Sequence, residues 1–331
     1  MTHPKTITLA HGNGGHLMHE LIETLRTRFS NKILNEMADA AGLEMSGRHL
    51  SFSTDSFVVR PLFFPGGDIG KLAVCGTVND VAMKGAKPLY LSLAFIIEEG
   101  LAWKIFEKIA DSIAKEAKSA GVQIVTGDIK VVETGAADKI FINTAGIGLI
   151  ANNRKPLGAK ARAGDVIIIN GPIAEHGLAV LEAREQLGFM SKIKSDCQCV
   201  HKQVARAMDA SKDISMMRDP TRGGLATALN EMAHASNLGI EVCEKDIPIK
   251  KDVRKMCDIL GFDPCYMANE GKFICCVAQK DAQKVKKAMG SQARIIGKVT
   301  SLHKKQVHLQ TLLGTSRILP VLEADQLPRI C

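Results

Sequence analysis

The chain has 331 residues, 46% hydrophobic and 24% charged, with a formal net charge of +8. This is globular composition, long enough for two domains with a core each. Aromatic residues make up only 4% and the lysines cluster merely as pairs such as Lys250-Lys251 and Lys286-Lys287, which excludes a base-stacking nucleic-acid platform and leaves a positive field suited to a nucleotide or an acidic partner.

His11-Gly12-Asn13-Gly14-Gly15 comes first, followed by Leu17, Met18, Leu21, Ile22 and Leu25 at helical spacing. A glycine-rich loop opening a helix suits phosphate; the plainer reading is a flexible linker. Ser51 to Val59 reads as a strand around Asp55, and Asp68 to Lys84 as a helix carrying Thr77-Val78-Asn79-Asp80. Asp80 stands beside Val81, Ala82 and Met83, where a charge needs a partner or a cation. Pro88 to Ile97 is a predicted strand. Leu101 to Lys118 is a helix whose Ile105, Ile109, Ile113 and Ala117 share one apolar face. Val122 to Val125 reads as a short buried strand running into Thr126-Gly127-Asp128-Ile129-Lys130, and Asp138 to Ile150 as another strand.

The composition turns polar and basic around 151–164, the expected boundary. A buried strand follows at Asp165 to Asn170, then helices at Ala174 to Leu187 and Val200 to Ala210. Asp219-Pro220-Thr221-Arg222-Gly223-Gly224 is a second anion-type turn, opening a helix from Leu225 to His234. Strands at Glu241 to Ile249, Lys272 to Ala278 and Ala293 to Val299 alternate with helices at Asp252 to Leu260 and Lys280 to Met289. A hairpin over Gln306 to Leu319 ends the regular part. The organisation is an arm (1–40), two α/β domains (41–155 and 156–320) and a tail (321–331).

Nine cysteines, an odd number with several in apolar runs and no secretory h-region before them, read as thiols of a reducing cytoplasm. Cys197-x-Cys199 has the wrong spacing for a zinc knuckle and lacks a second pair at ligand spacing. No apolar run approaches the roughly 18 residues that span a membrane. The sequence stops at Leu327-Pro328-Arg329-Ile330-Cys331, a thiol on a stiffened tip. By itself this is a frayed end or a carrier thiol.

Hard carboxylates at Asp55, Asp80, Asp128 and Asp219, with two glycine-rich anion loops, have the chemistry of a magnesium–ATP site. No G-x-x-x-x-G-K-S/T and no G-x-G-x-x-G after the first strand occur, so neither a Walker loop nor a dinucleotide fold accounts for them.

The segments Ser53-Thr54-Asp55-Ser56-Phe57-Val58-Val59, Gly76-Thr77-Val78-Asn79-Asp80-Val81-Ala82, Val125-Thr126-Gly127-Asp128, Asp219-Pro220-Thr221-Arg222-Gly223-Gly224 and Pro328-Arg329-Ile330-Cys331 resemble the HypE family. These are the carbamoyl dehydratases of nickel–iron hydrogenase maturation, within the superfamily of aminoimidazole ribonucleotide synthetase (PurM-like). The resemblance implies a two-domain α/β fold with mixed sheets and a homodimer built through the N-terminal domains. It implies ATP and Mg2+ as cofactors, with the metal on Asp55, Asp80, Asp128 and Asp219. Asn13, Gly14, Gly15, Asn79, Thr126, Thr221, Arg222 and Gly223 would surround the nucleotide. It further implies that the carbamoyltransferase HypF loads a carboxamide onto Cys331, that Glu270 and Lys130 assist its ATP-dependent dehydration to a thiocyanate, and that the cyano group passes to iron on HypC–HypD. Two places depart from the family pattern: Ile129 stands where Thr is expected, and Gln198-Cys199 replaces a small residue and a proline.

Two rivals remain at this level. A selenophosphate synthetase of the same superfamily wants a reactive Cys or Lys near the first glycine loop, where this chain has His11. A nucleotide-gated scaffold would bind ATP without chemistry on the tail.

Overall fold

The computed structural model describes residues 15–185, 192–322, 327 and 329–331. In chain order the first half holds α1 (His16–Arg28), β1 (Ala41–Met45), β2 (Arg48–Phe57), β3 (Phe63–Phe64), β4 (Gly67–Asp68), α2 (Ile69–Met83), β5 (Lys87–Glu98), α3 (Trp103–Ala120), β6 (Gln123–Val132) and β7 (Ile140–Leu149). The second half holds β8 (Asp165–Ile169), α4 (Glu175–Glu185), α5 (His201–Ala210), β9 (Ile214–Arg218), α6 (Gly224–Ser236), β10 (Gly239–Cys243), α7 (Lys251–Leu260), β11 (Ile274–Ala278), α8 (Ala282–Met289), β12 (Arg294–Thr300), β13 (Val307–Gln310) and β14 (Ser316–Ile318).

The first half builds a five-stranded sheet, β1-β2-β7-β5-β6, antiparallel except for the β5–β6 pair. The second builds a seven-stranded mixed sheet, β14-β13-β10-β12-β8-β11-β9. β8 is buried at every position because both sheet faces are covered there, as its unbroken apolar run requires. α2 starts where the Asp68 carboxylate accepts from Gly70 N and Lys71 N at 2.8 and 3.0 Å, a cap worth about 1 kcal/mol. α3 buries Ile109, Ile113, Ala117 and Ala120 and stops at Gly121, whose φ of 72° suits only an unbranched backbone. One buried cluster runs from Phe57 and Ile69 in the first half through Ile167 and Leu225 in the second, and includes Leu327 and Ile330 of the tail.

Three expectations change. The short buried strand at Val122 to Val125 is the long edge strand β6, exposed at nine of ten positions, so Thr126, Asp128 and Lys130 lie within the strand. The strand expected to reach Ile249 ends at Cys243 in a 3-10 turn. β1 and β9 were not legible, because Ala-Gly-Leu-Glu-Met and Ile-Ser-Met-Met-Arg carry little β-branched or aromatic content.

Candidate active site at the junction of the two sheets

Four elements bring carboxylates together. β2 presents Asp55, α2 presents Asp80, β9 runs directly into Asp219, and the loop before β1 adds Asp39. Asp80 accepts from Ser53 Oγ at 2.7 Å. Burial first, then the charges of Asp219, Asp55 and Asp39, hold its carboxyl well above the usual carboxylate range. Asp219 shares a hydrogen bond with Asp80 and is pushed up to about 8, by burial first and then by Asp39. Asp39 rises to about 6 for the same leading reason, opposed by Arg218. Arg218 lies 3.4 Å from Asp39 and 2.5 Å from Glu231, and Glu231 in turn meets His19 Nε2 of α1 at 2.9 Å. Carboxylate oxygens gathered at one junction have the chemistry a hard divalent cation takes, although no three of them lie within 4.8 Å of one another here.

Past Asp219 the chain makes its glycine turn. Gly223 and Gly224 take φ of 70° and 61°. A Cβ on Gly223 would fall 2.2 Å from Thr227 Oγ1, and one on Gly224 2.6 Å from Met267 O, so glycine is required twice for α6 to begin here. Arg222 lies 4.0 Å from Asp55.

Glu270 sits in the turn before β11, with 3% of its surface exposed. Its Oε1 has no hydrogen-bond partner among the described residues. Burial, followed by Asp55, Asp219 and Asp196, keeps this acid protonated far above its ordinary range, against the pull of Arg222. The turn is held by its backbone. Asp196 accepts from Glu270 N and Gly271 N at 3.2 Å each and from Lys272 Nζ at 3.0 Å, and Asn269 Nδ2 donates to Pro220 O at 2.9 Å. The Asn79 amide is fully used by backbone: Nδ2 donates to Gln198 O and Oδ1 accepts from Val200 N. Expected as a nucleotide contact, Asn79 is instead a brace for the loop beside Glu270.

The tail enters this site. His176 Nε2 meets Ile330 O at 2.8 Å while its Nδ1 meets Ser195 Oγ at 2.7 Å. Val58 N donates to Cys331 O at 3.1 Å, and Arg60 N to Arg329 O at 3.4 Å. Arg329 donates to Val58 O and Asp138 Oδ2 and is itself held by Arg184, whose Nη2 reaches its carbonyl at 2.6 Å. Cys331 is the strongest influence raising the pKa of Arg222, ahead of Asp55 and Glu270. The last residue of the tail, the guanidinium, the protonated acid and Asp55 therefore act on one another at one junction.

Not every expected residue arrives. Asn13 and Gly14 lie outside the described residues; Gly15 caps α1 by its backbone. Thr126, Asp128 and Lys130 stand on β6. Asp55 pairs with Thr144, Thr144 with Leu93, and Leu93 with Gly127; three strand spacings put Asp128 on the order of 14 Å from Asp55. Lys130 Nζ donates to both Asp128 oxygens at 2.7 and 2.6 Å, and this bond lowers the Asp128 pKa. Within one chain, Asp128 is no ligand of the cluster and Lys130 does not reach Glu270. Sequence reading passed over Asp39, His176, Asp196, Arg218 and Glu231. Only Arg218, adjacent to Asp219, offered a signal.

Residues 37–150 match the AIR synthase related protein N-terminal domain, and 162–310 the C-terminal domain of the same family. The carbamoyl dehydratase HypE of Rhodobacter capsulatus is 44% identical over 333 residues, covering 98% of each chain. The chain belongs to the HypE family. Among solved structures, the HypE–HypF complex superposes with a TM-score of 0.87 at 44% identity, covering 93% of this chain and 100% of that one. HypE in complex with ATP gives 0.83 at 46% identity, covering 98% and 100%. The two-domain α/β architecture is that of this family. No helix among the described residues is long and apolar enough to cross a membrane.

Proposed function

We propose that this chain is an ATP-dependent carbamoyl dehydratase that converts a carboxamide carried on Cys331 into a thiocyanate, the source of the cyanide ligands of a nickel–iron hydrogenase. The observation that carries this reading is the tail: Ile330 is locked by His176, and the charge of Cys331 acts on Arg222, which also feels Glu270, a buried acid with an unpartnered oxygen. A scaffold needs no such acid.

Dehydrating an amide fails without help because oxide is a poor leaving group. Transfer of the γ-phosphoryl of ATP to the carboxamide oxygen makes that oxygen part of a phosphate. The C–O bond then breaks, phosphate leaves, and both N–H protons go to bases, so one carboxamide and one ATP give one thiocyanate, ADP and phosphate. Glu270, a buried carboxyl with one oxygen unpartnered, is the base in this reading. Its carboxyl would accept a proton from the carboxamide nitrogen, and a cation held by the neighbouring aspartates would favour its ionised form. Arg222 and the backbone of the Gly223–Gly224 turn hold phosphate oxygens. The donor set of Asp55, Asp80 and Asp219 fits Mg2+, which when bound neutralises phosphate charge. The buried junction keeps water from the activated carboxamide.

The homodimer belongs to the same proposal. β6 exposes Val125, Ile129 and Val131 at 59%, 56% and 66%, an apolar edge that a second copy would cover. Such pairing also offers a neighbouring Thr126, Asp128 and Lys130 to an aspartate cluster that lacks them. HypF as the loading enzyme and HypC–HypD as acceptor follow from this reading, as does a cytoplasmic setting. The test is intact-protein mass spectrometry after incubation with a carbamoyltransferase, carbamoyl phosphate and Mg–ATP. A carboxamide-sized gain followed by ATP-dependent loss of one water, both absent in Cys331→Ala, is expected. ATP binding with no adduct in the presence of an active transferase would return the argument to the scaffold.

A further inference from the structure

Among the described residues, one group of three side-chain ligand atoms lies within 4.8 Å of one another, and it is not the aspartate cluster. It consists of Cys75 on α2, Glu116 on α3 and Cys199 in the loop between α4 and α5. Cys75 Sγ is 3.5 Å from Cys199 Sγ and 3.6 Å from Glu116 Oε1. Tetrahedral zinc with bonds of about 2.3 Å to sulfur and about 2.1 Å to oxygen has ligand edges of about 3.8 Å for S···S and about 3.6 Å for S···O. The observed spacings match these edges to within a few tenths of an ångström.

We propose that Cys75, Cys199 and Glu116 form a site for a thiophilic divalent ion, zinc above all, that clips α2 and α3 of the first half to the loop of the second. Two sulfurs and one carboxylate select such a metal over magnesium, which takes oxygen ligands. Cys75 is fully buried, whereas Glu116 and Cys199 are half-buried, so an ion enters from their side and water fills the fourth position. Cys197 contacts the Cys75 thiol but stays outside the three-atom group. Because the thiolate is the ligand, metal binding releases a proton for each sulfur–metal bond formed. The ligand set is assembled from three distant segments.

The position gives the ion a mechanical role. α2 carries Asn79 one helical turn beyond Cys75, and Asn79 binds Gln198 O in the clipped loop and Glu270 O in the turn. Asp196, three residues before Cys199, holds the same turn through Glu270 N. A metal here would stiffen the support of Glu270 without touching the reacting groups.

The experiment is titration of the full-length chain, kept reduced by a phosphine, with Co2+ and then Zn2+. A sulfur-to-cobalt charge-transfer band in the near ultraviolet, saturating at one ion per chain and bleached by zinc, is expected. Because the band reports sulfur ligation, cobalt on the aspartates does not produce it. Cys199→Ala and Glu116→Gln, both at half-buried positions that tolerate change, should each weaken cobalt binding by at least the roughly 10–100-fold that loss of an outer-shell partner costs. Cys243→Ala, a thiol bonded to Gln310 elsewhere, should keep the band. A folded wild-type chain showing no band, or a band unchanged in Cys199→Ala and Glu116→Gln, overturns the site.

Discussion

The turn at Asp219–Gly224 and the strand at Thr126–Lys130 carry nearly the same residues: a threonine, an aspartate, a glycine and a basic side chain. Their surroundings are opposite. Asp219 is 8% exposed and its carboxyl is pushed up to about 8. Asp128 has a side chain 63% exposed, and its pKa falls through the Lys130 bond. The first is a buried acid that holds its proton, enclosed by packing that the chain completes alone. The second is a relaxed surface ion pair of the kind that contributes little to stability. What separates them is what the fold has stacked over each one, and the exposed member has the character of a half-site.

The largest effect should come from the buried side of this contrast. Glu270→Gln keeps shape and removes the base, so dehydration of a loaded tail should slow by about 10²–10⁴-fold, read as the rate of water loss by mass spectrometry. Near-normal turnover would remove Glu270 from the chemistry.

The comparison itself can be broken by mixing subunits. Asp219→Asn and Asp128→Asn should each abolish turnover alone. If Asp128 serves a neighbouring chain, a remixed equal pair should recover about a quarter of wild-type activity, because half the dimers hold one intact site of two. No recovery would place both aspartates in one chain's site.

A pH series sharpens the same point. Asp39 and Asp219 bind protons more tightly folded, at about 6 and about 8, than an unfolded Asp does. The folded state therefore holds extra protons across this window, and their stabilisation is present at low pH and lost as pH rises through 6 and then 8. Metal-free protein should melt at falling temperature from pH 5 to 8, and Mg2+ should flatten the trend. Asp219→Asn should weaken it, while Asp128→Asn leaves it unchanged.

The smallest effect concerns the tail. His176→Ala removes the hydrogen bond to Ile330 O, worth about 1 kcal/mol, so the inserted state should open roughly fivefold more often. Labelling of Cys331 by a thiol reagent would report it, and an unchanged labelling rate would show that the tail is held without His176, by its backbone pairing, Arg329 and the burial of Ile330.

Local signals carried much of the architecture. The α3 stripe, the α2 start at Asp68 and the strands β2, β5 and β7 follow from period and capping. Asp55, Asp219 and Arg222 stood out because turn chemistry surrounds them. Asp39, Glu231 and His176 stayed hidden, because each acts through a partner remote in sequence and nothing nearby in the chain marks it; Arg218 was marked only by standing next to Asp219. β6 was misread for a related reason: its apolar residues look buried, yet the single chain leaves them on an edge. The Cys75–Glu116–Cys199 set escaped because ligand spacing in sequence is informative only when the ligands share a segment.

The pairing of Arg329 and Cys331 with Arg60 and Val58 makes the tail a ruler. It is read in two-residue graduations against the chain just beyond β2, as one more antiparallel strand would be. Shifting such a strand by one residue turns every side chain to the opposite face. A single residue inserted between Ile330 and Cys331 would leave a thiol at the tip and point it away from Arg222. Two inserted residues would restore its direction but carry it about 7 Å too far. The register of the tail against the chain beyond β2 thus sets where Cys331 stands.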